Sequence, residues 1–125
     1  MRVCVCGGPR VGKTTYAGRL SFENKWPIRH TDDLIGKMDW SAASEEVAHW
    51  LTAPGPWVLE GVALVRALRK FLKASDGLPC DKVIWMPSPK VELSAGQLSM
   101  MKGCQTIWSE VYPDLLRRGV PVESL

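Results

Sequence analysis

The amino-acid sequence predicts an α/β domain of three layers, a parallel sheet of about five strands with helices on both faces. Short runs that are apolar on both faces, as central strands of a parallel sheet are, stand at residues 2–6, 57–60 and 82–86. Segments with the helical spacing of apolar residues alternate with them, the arrangement of parallel strands joined by right-handed crossovers. The first run leads straight into Gly7-Gly8-Pro9-Arg10-Val11-Gly12-Lys13-Thr14-Thr15, which matches G-x-x-x-x-G-K-[ST] between a strand and a helix.

Strand one, residues 2–6, ends at glycines that let the backbone wrap a polyphosphate with its N–H groups inward. A glycine turn that merely joins strand to helix is the alternative reading. Helix one is expected at 13–22, with Tyr16, Ala17 and Leu20 spaced to pack on the sheet. Trp26-Pro27 interrupts, and residues 28–31 form a short second strand that delivers the chain to Asp32-Asp33. Asp39 or Ser41 caps a helix through Leu51, with Glu45 and Glu46 in its first turns where the dipole favours acids. Ala53-Pro54-Gly55-Pro56 stops it. Strand three, 57–60, ends in Glu60 and is followed by Gly61. The next helix, 62–73, carries the apolar stripe Val65, Leu68 and Leu72. After a turn at 76–79, strand four, 82–86, is closed by Pro87-Ser88-Pro89. Residues 90–103 are polar and interrupted by glycine, the pattern of a short helical flap. A last helix, 105–118, is expected to kink or restart at Pro113 and end at Gly119, and 120–122 adds a fifth, edge strand.

The chain of 125 residues is read as a single domain, 1–125, long enough for one core. Hydrophobic residues make up 46%, charged residues 23%, and the formal charge is +3, so a phosphate-rich partner is permitted and not demanded. Cys4, Cys6, Cys80 and Cys104 lack metal spacing and read as small buried hydrophobes rather than redox or metal groups. No apolar run approaches the roughly 18 residues of a membrane span and the start carries no signal pattern, so no membrane partner and a cytoplasmic location are expected.

At Gly12-Lys13-Thr14-Thr15 the chain resembles the P-loop nucleoside-triphosphate-binding superfamily. The resemblance implies ATP or GTP with Mg²⁺, the loop from Gly7 to Thr15 holding the phosphates, Lys13 reaching the β- and γ-phosphates and Thr14 helping to hold the metal. In such a sheet, ligands sit beyond the carboxyl ends of the strands, where Asp32-Asp33, Glu60-Gly61 and Pro87 to Lys90 also fall. Thr31-Asp32-Asp33-Leu34 and Val58-Leu59-Glu60-Gly61 look like the small P-loop kinases that include polynucleotide 5′-hydroxyl kinases, zeta-toxin-like sugar kinases and nucleotide kinases. That likeness implies that Asp32, with Asp33 as second choice, orients and deprotonates an acceptor hydroxyl, and that Glu60 lies near Mg²⁺ or the acceptor. A capping turn and a helix N-terminal acid are the plainer readings of those acids.

Arg66, Arg69, Lys70 and Lys73 share one helical face, solvated in the plain reading. Arg66, in the first turns at the ligand edge, can reach a phosphate, whereas Lys73 lies about 10 Å further along. The flap stands where these kinases carry a lid. It departs from the nucleoside monophosphate kinases in having no arginine, only Lys90 and Lys102, of which Lys102 beside Gly103 is the better lid cation. Trp57, Trp85 and Trp108 fall on core positions, and Trp40 is left for an acceptor base. His30 and His49 show no ligand spacing and read as surface or structural.

The leading expectation is an ATP- and Mg²⁺-dependent kinase acting on a hydroxyl of a nucleic acid or nucleotide. A polynucleotide 5′-OH or a hydroxymethyl base is favoured, since the compact chain and arginine-free flap are similar in style to small phage-encoded P-loop kinases. A nucleoside monophosphate kinase and a small-metabolite kinase follow. From another class comes a nucleotide-dependent ATPase or switch subunit in which Glu60 positions water. A non-catalytic nucleotide-binding module is opposed by the intact Lys13-Thr14.

Overall fold

A computed structural model describes residues 1–125. Five strands, β1 (Arg2–Gly7), β2 (Ile28–His30), β3 (Trp57–Glu60), β4 (Lys82–Met86) and β5 (Val122–Ser124), form one sheet in the order β2-β3-β1-β4-β5. Every neighbouring pair is parallel. The helices are α1 (Lys13–Asn24), α2 (Trp40–Trp50), α3 (Leu64–Ala74) and α4 (Ala95–Arg117), with a 3-10 turn at Thr31–Leu34. No helix is long and apolar enough to cross a membrane.

The period-2 alternation of β1 serves two cores rather than one. Val3 and Val5 join Val58, Ile84 and Met86 beneath α1, which contributes Ala17 with Tyr16 and Leu20 at the margin. Cys4 and Cys6 point to the other face with Leu59, Val83 and Trp85, and that larger core is closed by α2, α3 and α4. The expected three layers are therefore present. All four cysteines are free and buried. Burial pushes the Cys4 and Cys6 thiols well above their ordinary range and Cys104 to about 11, so they remain neutral packing groups.

Sequence and structure differ most in the C-terminal third. The flap and the last helix are one helix of 23 residues. Only residues 90–94 remain a loop, because Ser94 and Gln97 form a reciprocal cap that starts α4 there. The helix also runs unbroken through Pro113. Its buried stripe Met101, Cys104, Ile107, Trp108, Val111 and Leu115 continues on both sides of the proline, and this packing holds the helix across it. The fifth strand forms at 122–124, two residues later than expected.

Both ends of β1 are fixed by their neighbours, which holds the turn into α1 in a set position. Arg2 donates backbone and side-chain hydrogen bonds to Asp81, drawing the Asp81 carboxyl below its usual range. At the other end, Gly7 passes so close to β4 that a Cβ there would lie 2.5 Å from the Met86 carbonyl oxygen.

Candidate active site

The phosphate loop leaves the central strand between its two partners, β3 and β4, which is the switch point of the sheet. Gly12, the residue before α1, has φ of 95°, a left-handed conformation natural to glycine. Arg10 is left-handed too, with φ of 62°, at a cost of about 1–2 kcal/mol for a residue with a Cβ. The first helical N–H with a backbone acceptor is that of Tyr16, on Gly12 at 3.1 Å. Lys13, Thr14 and Thr15 thus present unpaired N–H groups at the positive end of α1.

Those groups open on a cavity of about 670 Å³ lined by Pro9, Arg10, Gly12, Lys13, Thr14 and Thr15 from the loop. Asp32, Ile35 and Trp40 face them from the segment after β2, Val62 from the segment after β3, and Lys90, Val91 and Met100 from the C-terminal third. Gly7, Gly8 and Val11 do not line this space; they seat the loop. Val11 is 1% exposed, and a side chain on Gly8 would collide with Met101 of α4.

Lys13 is 7% exposed, with its ammonium donating to the Gly8 carbonyl at 2.5 Å. Burial lowers its pKa below the usual lysine range, with Glu60 and then Asp32 pulling it back up. Glu60 is 1% exposed. Its Oε1 accepts from the Thr14 hydroxyl at 3.2 Å and lies 2.6 Å from His30 Nδ1. The Glu60 Oε2 atom and the Thr31 hydroxyl are buried without a partner. Thr31 is itself pressed against Gly61, whose φ of 143° and missing side chain let it fit.

The orphaned carboxylate oxygen beside a threonine hydroxyl fits Mg²⁺, which binds through one or two protein groups together with substrate phosphates. The unpaired N–H groups and Lys13 fit the phosphates themselves.

The structure sorts the expected site residues. Asp32 lines the phosphate cavity, whereas Asp33 is exposed outside it. Lys102 does not line the cavity: Met101 and Cys104 turn inward from α4 and leave Lys102 on the solvent face. Lys90 stands there instead, its backbone N–H donating to the Arg10 carbonyl at 2.7 Å and its side chain passing Gly12. Arg66 lines an adjoining space rather than the phosphate cavity. His30, expected as a surface or structural residue, touches the buried carboxylate.

No family model and no curated protein matches the sequence. Among solved structures the chain is similar to the shikimate kinase from Acinetobacter baumannii in complex with shikimate, at 14% identity and a TM-score of 0.58. The match covers 96% of this chain and 80% of that one. The likeness is one of fold, a layered α/β architecture around a parallel sheet.

Proposed function

We propose that this chain is an ATP- and Mg²⁺-dependent kinase that moves the γ-phosphoryl group onto a hydroxyl, with Asp32 as general base. The observation that carries this reading is that Asp32 lines the same cavity as Lys13 and Thr14 while standing on a different strand end. A carboxylate opposite the phosphate loop can accept the hydroxyl proton as the oxygen bonds to the γ-phosphorus and the bond to the β,γ-bridging oxygen breaks. Lys13 and the unpaired N–H groups of α1 hold the phosphates, and Arg10 and Lys90 add positive charge at the rim. Bound Mg²⁺ would neutralise charge on the β- and γ-phosphates. The kinase class is further supported by likeness to a solved kinase.

For the acceptor, a small hydroxyl compound is favoured over a polynucleotide. Of the outer cations on that helix face, Arg69 is engaged with Glu110 at 3.4 Å and Lys70 with Glu45 at 3.7 Å, which leaves Lys73 alone without an ion pair. Such exposed pairs contribute little stability, yet they leave less free charge for a run of phosphates.

The test uses ATP labelled in the γ-phosphate with a panel of acceptors: hydroxylated carboxylates and sugars, nucleoside monophosphates, 5′-hydroxyl oligonucleotides, hydroxymethyl-base DNA and none. Label is expected on a small hydroxyl compound. Asp32→Asn should lower transfer by about 10²–10⁴-fold while keeping ATP binding, and Lys13→Ala should lose activity with every acceptor. Full transfer by Asp32→Asn, or phosphate release that needs no acceptor, would overturn the reading, the latter in favour of an ATPase.

A further inference from the structure

Beside the phosphate cavity lies a second space of about 270 Å³ that shares Trp40, Val62 and Met100 with it. Arg66 of α3 closes it on one side, and Gly96, Ser99 and Gly103 of α4 on the other. A water molecule occupies about 30 Å³, so the space has the capacity of about nine waters, the scale of one substituted six-membered ring.

Arg66 is half-buried, and the ion pairs of the molecule leave it out. Its guanidinium lies 5.7 Å from the centroid of the Trp40 ring. Arg69 and Lys70, one turn on, have acidic partners, so Arg66 is the cation of this helix face left free next to the cavity. Its planar fork matches a carboxylate or phosphate, and Trp40 beside it offers a flat apolar surface.

The shape of α4 agrees with this independently. Glycine weakens a helix interior, where Gly103 stands; Gly96 lies seven residues earlier on the same face, in the first turn. Packing does not require either: a Cβ at Gly96 would meet nothing within 4 Å, and at Gly103 only Arg66 Nη2 at 3.9 Å. What the two glycines leave is room in front of Arg66. Cys104 in the wall is a neutral thiol, its pKa raised to about 11 by burial, and serves as apolar surface rather than as a nucleophile.

We propose that this space is the acceptor subsite and takes a small ring compound bearing one anionic group, carboxylate or phosphate, with the ring against Trp40 and the anion on Arg66. The inference rests on the kinase reading only for the presentation of the acceptor hydroxyl to Asp32 across the shared wall.

Binding is tested by ligand-observed NMR on the full chain, with and without ADP. The probes are 4-(hydroxymethyl)benzoate, phenyl phosphate and the neutral 4-(hydroxymethyl)benzamide. At least one anion should bind tenfold or more tightly than the amide, and the stronger of the two tells carboxylate from phosphate. Arg66→Gln should remove that preference, and Gly103→Leu, which fills the space beside Arg66 while leaving its charge in place, should abolish binding of all three. Equal binding of anions and amide, or an anion preference that survives both substitutions, overturns the subsite. ATP binding by the unaltered chain keeps the two readings apart. A chain that binds the benzoate and not ATP keeps the subsite and loses the kinase, and one that binds ATP without discriminating the probes does the reverse.

Discussion

Glu60 is a carboxylate withdrawn almost wholly from water, and such a group persists only when its hydrogen bonds are replaced. The Thr14 hydroxyl and His30 Nδ1 supply that replacement at Oε1. His30→Ala should therefore cost about 1–3 kcal/mol, the penalty of leaving a buried polar group short of a partner, read from the midpoint of urea unfolding. His30→Asn, which keeps a short donor, should recover part of the loss. An unchanged midpoint in His30→Ala would show that Thr14 suffices. At this scale the sequence displays unequal amounts of the site. The placement of Lys13 and Thr14 at one cavity is legible because it follows from spacing within one loop, and that of Asp32 because it follows a strand. The role of His30 is not legible, since it faces Glu60 only through the pairing of β2 with β3, residues thirty apart in sequence. The choice of Lys90 over Lys102 likewise depends on which side of α4 packs inward.

The C-terminal end of α3 is held by a side chain from beyond another helix. Its last carbonyls have no partner within the helix. Arg118, just past α4, donates to the carbonyls of Leu72 at 2.8 Å, Ser75 at 2.6 Å and Gly77 at 2.9 Å, joining the two helices at their C-terminal ends. Arg118→Met keeps much of the apolar stem and removes the donors, and should cost about 1.5–3 kcal/mol as measured by denaturant unfolding. A loss below about 0.5 kcal/mol would mean that water replaces the guanidinium. The boundaries of α2 and α3 are close to those expected, because Asp39 caps the one, accepting from Ala42 at 2.7 Å, and a regular apolar stripe marks the other. α4 departs from expectation for the opposite reason. Gly96, Gly103 and Pro113 all argue against one helix locally, and the packing of its stripe overrides them.

Across the whole molecule, the sheet is fastened to α4 through a ladder of rings. Trp85 of β4 stacks on Trp108 with centroids 4.4 Å apart and planes 3° apart, and Tyr112 follows at 5.5 Å. Trp108→Ala removes the middle ring from the larger core and should cost about 3–5 kcal/mol, enough to threaten a domain of this size. Thermal unfolding that is little changed would show that α4 docks without it. Because α4 also lines both cavities, a destabilised but folded variant should lose ligand affinity together with stability.

The layered α/β class, the element order and the glycine-rich loop between β1 and α1 are all written in the linear chain. Each of these depends on local periodicity or on spacing within a few residues, which can be read without knowing what packs against them. The order β2-β3-β1-β4-β5 comes from the folded molecule alone, and with it the meeting of His30 with Glu60 and the cavity between Arg66 and the glycines of α4. Those contacts join residues far apart in the chain, and their formation is governed by which faces pack together.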